Sequence, residues 1–130
     1  MSTTIRSFVE KHKIRMTADW ADSNPNMDSK DMNHFKCLLR RGPARMTIYF
    51  SQGYGIRGEP DAAGVLDCLA SDAASVDNAQ SFEEWARDLG YEEDSRAERT
   101  FKACESQAQK LRTFLGADLY AELLYKTDRL

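Results

Sequence analysis

The spacing of apolar residues changes twice along the chain. It is helical near the start, alternates between apolar and polar positions over residues 13–51, and becomes helical again after residue 60. Alternation is typical of half-buried strands, whereas a spacing of three or four is typical of amphipathic helices. The pattern predicts an α+β fold in the order α-β-β-β-α-α-α-α: an N-terminal helix, a three-stranded antiparallel meander and a C-terminal group of about four helices.

The three predicted strands follow one another closely. They cover residues 13–20, 32–41 and 44–51, and turn-rich segments connect them. Such short connections favour antiparallel pairing, because parallel strands need a crossover. The alternation places Trp20 on the apolar face of the first strand and His34 on the polar face of the second.

Helix boundary signals follow the strands. Ser81 with Glu84 and Ser95 with Glu98 both match the capping-box pattern, and Gly90 is typical of the residue that ends a helix. The apolar face of the helix that starts after Ser81 consists of Phe82, Trp85, Ala86 and Leu89. This spacing predicts that the four share one apolar face, with Phe82 and Trp85 buried.

Length and composition predict one domain over residues 1–130. No apolar run approaches the roughly 20 residues of a membrane helix, and the start lacks the apolar core of a signal peptide. We therefore expect a cytoplasmic protein that does not enter a membrane. The cysteines Cys37, Cys68 and Cys104 are odd in number and lie on or beside apolar faces, so we expect reduced thiols in the core.

Charge is distributed unevenly. Residues 1–58 carry ten Lys/Arg and five Asp/Glu, whereas residues 59–94 carry eleven Asp/Glu against Arg87 alone. A dense acidic face can attract a basic surface on a partner, including one that normally holds nucleic acid. The candidate contact residues form what we call the acidic band: Glu83, Glu84, Asp88, Glu92, Glu93 and Asp94.

Basic residues offer a second interpretation. Lys36, Arg40, Arg41 and Arg45 lie around the predicted second hairpin, where they could contact phosphates. The alternative function is therefore a direct nucleic-acid-binding module. A hairpin tip can also be charged simply because it is exposed to water, and the sequence leaves both explanations open.

The segment GYGIRG, residues 53–58, matches the glycine pattern of a dinucleotide loop. A binder of a small nucleotide signal is thus a second alternative. No strand follows the next helix, however, and Glu59 and Asp61 place negative charge where a phosphate would bind.

Catalytic and metal-binding patterns are not apparent in the sequence. His12 and His34 have no partner at the spacing of a metal site or a catalytic triad, and the serines lack a neighbouring base. We therefore expect no enzyme activity, no cofactor and no metal.

Several segments together resemble a family of small proteins encoded by bacteriophages and prophages, mostly of unassigned activity. The segments are DSNPNM, MTIYFSQG, VLDCLASDAASVDNAQSFEEWARDLGYEEDSRAERTFKAC and LRTFLGADLYAELL, and the resemblance covers about residues 5–125. It implies a phage-type accessory protein, such as an anti-CRISPR or another anti-defence protein. The expected partner is a host protein, for example a Cas subunit or another nucleic-acid-binding defence protein. The expected state is a monomer or a homodimer.

Overall fold

The computed structural model describes residues 3–26, 31–54 and 58–128. The elements, in chain order, are β1 (Thr3–Thr4), α1 (Ile5–Lys11), β2 (Arg15–Ala21), β3 (Met32–Arg41), β4 (Ala44–Gly53), α2 (Ala62–Asp77), α3 (Phe82–Leu89), α4 (Ser95–Leu115), α5 (Ala117–Tyr125) and β5 (Thr127–Asp128). The predicted α+β fold is confirmed, with one helix before an antiparallel meander and four helices after it.

The meander has the strand order β2-β3-β4, and its register separates two faces. Residues directly opposite each other on paired strands point to the same side. Phe35 lies opposite Trp20 and Phe50, and Cys37 lies opposite Ala18 and Ile48. These residues define the inner face of the sheet, which the helices cover; the other side is the outer face.

A main core lies between the inner face of the sheet and the helices α1, α2, α5 and the second half of α4. Its fully buried side chains include Ile5, Phe8, Leu39, Val65, Leu66, Leu111 and Leu123. Burying each large apolar side chain stabilises the fold by roughly 1.5–3 kcal/mol. The sheet and these four helices therefore form one packed unit.

A smaller satellite cluster lies beside the main core. It consists of the buried residues Trp85, Ala86 and Cys104, with Val76, Ala79, Phe82 and Phe101 packed around them. It joins α3 to the end of α2 and the first half of α4. Because α4 has 21 residues, it is about 31 Å long and contributes to both clusters.

A two-residue parallel pair connects the two ends of the described chain. Thr3 lies opposite Thr127 in β1 and β5. Two residues are too few for a periodic pattern, so the sequence gives no sign of this pair.

Two large apolar residues that lie on predicted apolar faces are exposed. Trp20 does lie on the inner face, but it is 64% exposed because β2 is the edge strand away from α4. Leu89 is 49% exposed because it lies in the last turn of α3, outside the satellite cluster. The periodicity gave the side on which Trp20 lies, but not how far the helices reach over it.

Three polar or small residues also differ from the predictions. His34 lies on the polar outer face, yet it is buried. Its Nδ1 shares a hydrogen bond of 2.6 Å with the Ser51 hydroxyl, which also accepts a bond from Asn24. Cys68 is exposed rather than in the core. The N-cap of α4 is Asp94, not Ser95 as the second capping box predicted.

No helix in the described ranges combines the length and the apolar character that a membrane crossing requires.

Candidate functional site

Helix α3 has well-defined ends, which fix the direction of its exposed side chains. The Ser81 hydroxyl accepts a hydrogen bond from the Glu84 backbone N–H at 3.2 Å, as the capping box predicts. At the other end Gly90 has a φ of +76°, and the Tyr91 N–H donates to the Ala86 carbonyl at 2.8 Å. This is the Schellman arrangement, in which a glycine adopts the left-handed conformation at low cost.

Trp85 anchors α3 to the rest of the molecule. Its ring centroid lies 5.2 Å from that of Phe101, 5.3 Å from that of Tyr91 and 6.3 Å from that of Phe82. The indole N–H donates to the Ser75 hydroxyl at 3.2 Å, so its polar atom is satisfied although the residue is only 2% exposed. The aromatic contacts hold α3 and Tyr91 in one arrangement.

The acidic band divides into two groups of carboxylates. Glu84 accepts a hydrogen bond from the Gln80 N–H at 3.1 Å, and Asp94 accepts one from the Ala97 N–H at 2.8 Å. These two side chains therefore cap helices α3 and α4. The other four are exposed and have no hydrogen-bond or ion-pair partner in the described chain: Glu83, Asp88, Glu92 and Glu93.

Two exposed apolar side chains lie among the free carboxylates. Leu89 and Tyr91 are 49% and 50% exposed, on either side of Gly90. The Tyr91 ring stacks on Trp85 with an interplanar angle of 21°, so one of its faces is held while the other side remains accessible. Apolar anchors surrounded by charged residues are typical of protein–protein contacts, whose energy is concentrated in a few large side chains.

The acidic band also borders an open cleft of about 790 Å³ between β4, α2 and the first half of α4. Glu92 and Asp94 lie at one rim, where Tyr91 also contributes. Arg96 lines the same cleft, so both signs of charge face it. The cleft is therefore open and carries both signs of charge.

The sheet register changes which basic residues share one face. Arg15 lies opposite Arg40, and Arg40 lies opposite Arg45, so three guanidinium groups cross the outer face as an arginine row. Lys36 is on the same face, four residues from Arg40 along β3. Arg41 alternates to the inner side, so it does not belong to this surface.

The arginine row has few internal partners. The Arg45 guanidinium donates to the Gly42 carbonyl at 3.2 Å. The Arg40 Nε is buried and has no hydrogen-bond partner within the described residues. Like charges directly opposite each other on paired strands are destabilising, so an anion at this row would relieve repulsion. The sequence alone did not place Arg15 beside Arg40, because the register that pairs them is not visible in the spacing.

The glycine segment offers little support for a nucleotide site. Residues 55–57 lie outside the described residues. At the following helix, the Asp61 carboxylate accepts a hydrogen bond from the Gly64 N–H at 2.8 Å. A carboxylate therefore already occupies the N-terminus of α2, where a phosphate would otherwise bind.

The buried thiols are poor nucleophiles. Burial, together with the charges of Asp19 and Glu59, raises the pKa of Cys37 to about 11. Burial, together with the charge of Asp72, raises the pKa of Cys104 to about 12. Both thiols are therefore protonated near neutral pH. In the described part of the chain, no group of three or more His, Cys, Asp or Glu side chains is arranged to hold a metal ion.

No protein-family model, no curated protein and no solved structure matches the chain.

Proposed function

We propose that the chain is a protein-binding module that inhibits a nucleic-acid-handling defence complex of a bacterial host. The phage resemblance makes a CRISPR–Cas subunit the first candidate partner. The contact is made by α3 and the loop that follows it, and the module occupies a basic surface that otherwise holds nucleic acid.

One observation supports this proposal above the others: Leu89 and Tyr91 are exposed within a group of carboxylates that have no partner in the described chain. The carboxylates are repelled from one another and attracted to a basic surface, which favours rapid association with a partner of that charge. The apolar pair adds the short-range contact that charge alone does not supply.

The rigidity of the surface also supports the proposal. Tyr91 is stacked on Trp85, and both ends of α3 are capped. A surface that is already ordered loses less conformational entropy when it binds. We infer that Trp85 positions the contact residues and does not itself touch the partner, since it is 2% exposed.

The first experiment identifies the partner. The tagged protein is used to capture proteins from a bacterial lysate that contains a CRISPR–Cas system, with and without nuclease treatment, followed by mass spectrometry. A stoichiometric Cas or other defence subunit that survives nuclease treatment supports the proposal. Recovery of nucleic acid alone, lost on nuclease treatment, contradicts it.

The second experiment tests the surface. A variant with Glu83→Lys, Asp88→Lys, Glu92→Lys and Glu93→Lys should lose binding to the captured partner. It keeps Glu84 and Asp94 because their carboxylates cap helices, so it should melt close to the wild type.

A matched control changes the charge by the same amount elsewhere. It reverses four exposed acids remote from α3 in the sequence: Glu10, Asp22, Glu105 and Asp118. Unchanged binding in the control and loss in the α3 variant would locate the interface. Equal loss in both would mean that net charge, not this surface, controls binding. Leu89→Ala with Tyr91→Ala should also weaken binding, without changing the charge.

A second candidate function is direct binding of nucleic acid by the arginine row. The observation that favours it is the opposed, mostly unpartnered guanidinium groups of Arg15, Arg40 and Arg45. Fluorescence anisotropy with labelled DNA and RNA tests it. Binding should weaken steeply with salt, and Arg40→Gln should weaken it far more than the control Lys126→Gln. No affinity at low ionic strength would remove this candidate.

A further inference from the structure

The two edges of the meander differ in how they are covered. Helix α4 packs along β4, at one edge. At the other edge, β2 pairs with β3 on one side, and no described residue pairs with its opposite side. The backbone N–H and C=O groups of an open edge strand can pair with a further strand.

The outward side chains of β2 carry complementary charges placed symmetrically. Arg15 and Asp19 are both exposed, both lie on the outer face, and each is two residues from Thr17. Neither has an ion-pair partner within the described residues. Across the strand pair, Arg15 faces Arg40, which is an unfavourable contact, whereas Asp19 faces the oppositely charged Lys36.

Antiparallel pairing of β2 with β2 of a second copy, centred on Thr17, would match these charges. Arg15 would lie opposite Asp19 of the second copy, and the two-fold axis would repeat the contact. Because opposite residues share a face, the helices of both copies would remain on the same side of a six-stranded sheet. If the register of this pairing shifted by two residues in either direction, Arg15 of one copy would no longer lie opposite Asp19 of the other.

The exposed tryptophan of β2 fits the same arrangement. Trp20 lies on the inner face, and its ring meets that of Phe35 edge-on at 5.7 Å, yet it is 64% exposed. In the symmetric pairing it lies opposite position 14 of the second copy and diagonal to Met16, which is only half-buried. Diagonal neighbours across a strand pair are within reach of an aromatic side chain.

We propose that two copies of the chain form a homodimer by antiparallel pairing of β2 about Thr17, with Arg15 of each copy facing Asp19 of the other. The strand that pairs with this sheet edge is thus β2 of a second copy. The symmetric charge complementarity and the exposed Trp20 both support this choice. The proposal does not depend on the function of the acidic band.

A charge swap tests the register. The oligomeric state is measured by sedimentation velocity over a series of protein concentrations. Arg15→Asp and Asp19→Arg each convert both attractive contacts into repulsive ones, so each should raise the dimer dissociation constant about tenfold or more. The double variant with both changes restores opposite charges and should restore the dimer.

The swap also separates association from folding. Arg15→Asp removes a repulsion from Arg40 within one copy, so at a protein concentration where the wild type is also dissociated it should not lower the melting temperature. A wild type that is monomeric at every concentration would overturn the proposal. So would a dimer that survives the single changes, or one that the double change does not restore.

A cross-link supplies an independent measurement. At the two-fold centre, the Cα atoms of the two copies of residue 17 should lie about 4.5–5.5 Å apart, which suits a disulfide. In a background with Cys68→Ser, Thr17→Cys should give a covalent dimer under mild oxidation, whereas the exposed control Ser71→Cys should not. Equal cross-linking by both variants would contradict pairing at Thr17.

Discussion

The main core and the satellite cluster hold the two halves of α4 in different ways. Leu111, in the second half, is fully buried among residues from the sheet and four helices. Phe101, in the first half, is partly exposed and contacts Trp85 and Phe82. The satellite cluster contains three buried residues of the described chain, against twenty in the main core, so far less apolar surface holds α3 in place.

This difference implies a difference in local stability. Regions with few buried contacts open with a lower free energy than the whole protein needs to unfold. We therefore expect α3 to open locally while the main core remains folded. The proposed contact surface lies on the less stable of the two regions, and mutations in the two regions should produce different effects.

The largest expected effect is in the main core. Leu111→Ala should lower the free energy of unfolding by about 2–5 kcal/mol, because it leaves a cavity in the main core. Urea denaturation followed by circular dichroism measures it. The control Gln109→Ala, on the exposed side of the same helix, should change stability by less than about 0.5 kcal/mol.

Trp85→Ala should affect the satellite cluster first. Replacing a buried tryptophan with alanine typically costs roughly 3–5 kcal/mol, but global stability should fall by less, because α3 can detach without unfolding the core. Hydrogen exchange should show a large loss of protection in α3 and a much smaller loss in β3. Equal loss of protection in both would mean that the two clusters form one cooperative unit. Trp20→Ala, at an exposed tryptophan, serves as the control.

Glu122→Gln should lower the stability of the main core and leave the satellite cluster unchanged. The Glu122 carboxylate on α5 accepts a hydrogen bond from Lys11 at 3.1 Å and lies 2.7 Å from the His12 Nε2 at the end of α1. Losing these contacts should cost about 1–3 kcal/mol, and exchange in α3 should not change.

The contacts of Glu122 with Lys11 and His12 also make the stability of the protein depend on pH. Burial alone would raise the pKa of Glu122, but the hydrogen bonds and charges of Lys11 and His12 outweigh it and hold the pKa below its usual value. A lowered pKa in the folded state stabilises the protein above the unfolded pKa of about 4.3. The stability difference between wild type and Glu122→Gln should therefore be largest above that pH and should shrink as the pH falls through the lowered value.

Gly90→Ala should have the smallest effect. No atom lies within 4 Å of an added Cβ, so the cost comes from the positive φ alone and should be about 1 kcal/mol, confined to α3. Gly53→Ala is the matched control, because an added Cβ there also meets nothing and the backbone needs no positive φ. A Gly90→Ala variant as stable as the wild type would show that the end of α3 is already frayed.

The order of elements could be predicted because period and turn residues are local properties. The extent to which the helices cover the sheet is not a local property. The alternation gave the side on which Trp20 lies, but not that the helices leave this residue exposed. Contacts between distant segments were equally invisible, as with His12 and Glu122, which are 110 positions apart.

Cap assignments were predictable where one candidate stood alone. Ser81 caps α3 as predicted, but at α4 the adjacent Asp94 and Ser95 both suit an N-cap, and the carboxylate takes the position. For the candidate site, the sequence contained a signal about Glu84, since a capping-box glutamate has its carboxylate engaged. It contained none about the row formed by Arg15, Arg40 and Arg45, which requires the strand register.

The two tryptophans lie in different surroundings, so their intrinsic fluorescence can report on two regions of the molecule. Trp85 is enclosed by aromatic rings, whereas Trp20 is in contact with water, so the first should emit fluorescence at shorter wavelength than the second. Trp20→Phe would leave a signal from the satellite cluster alone, and Trp85→Phe would leave one from the edge of the sheet. Quenching by iodide could then follow occupancy of either surface separately, without any attached dye.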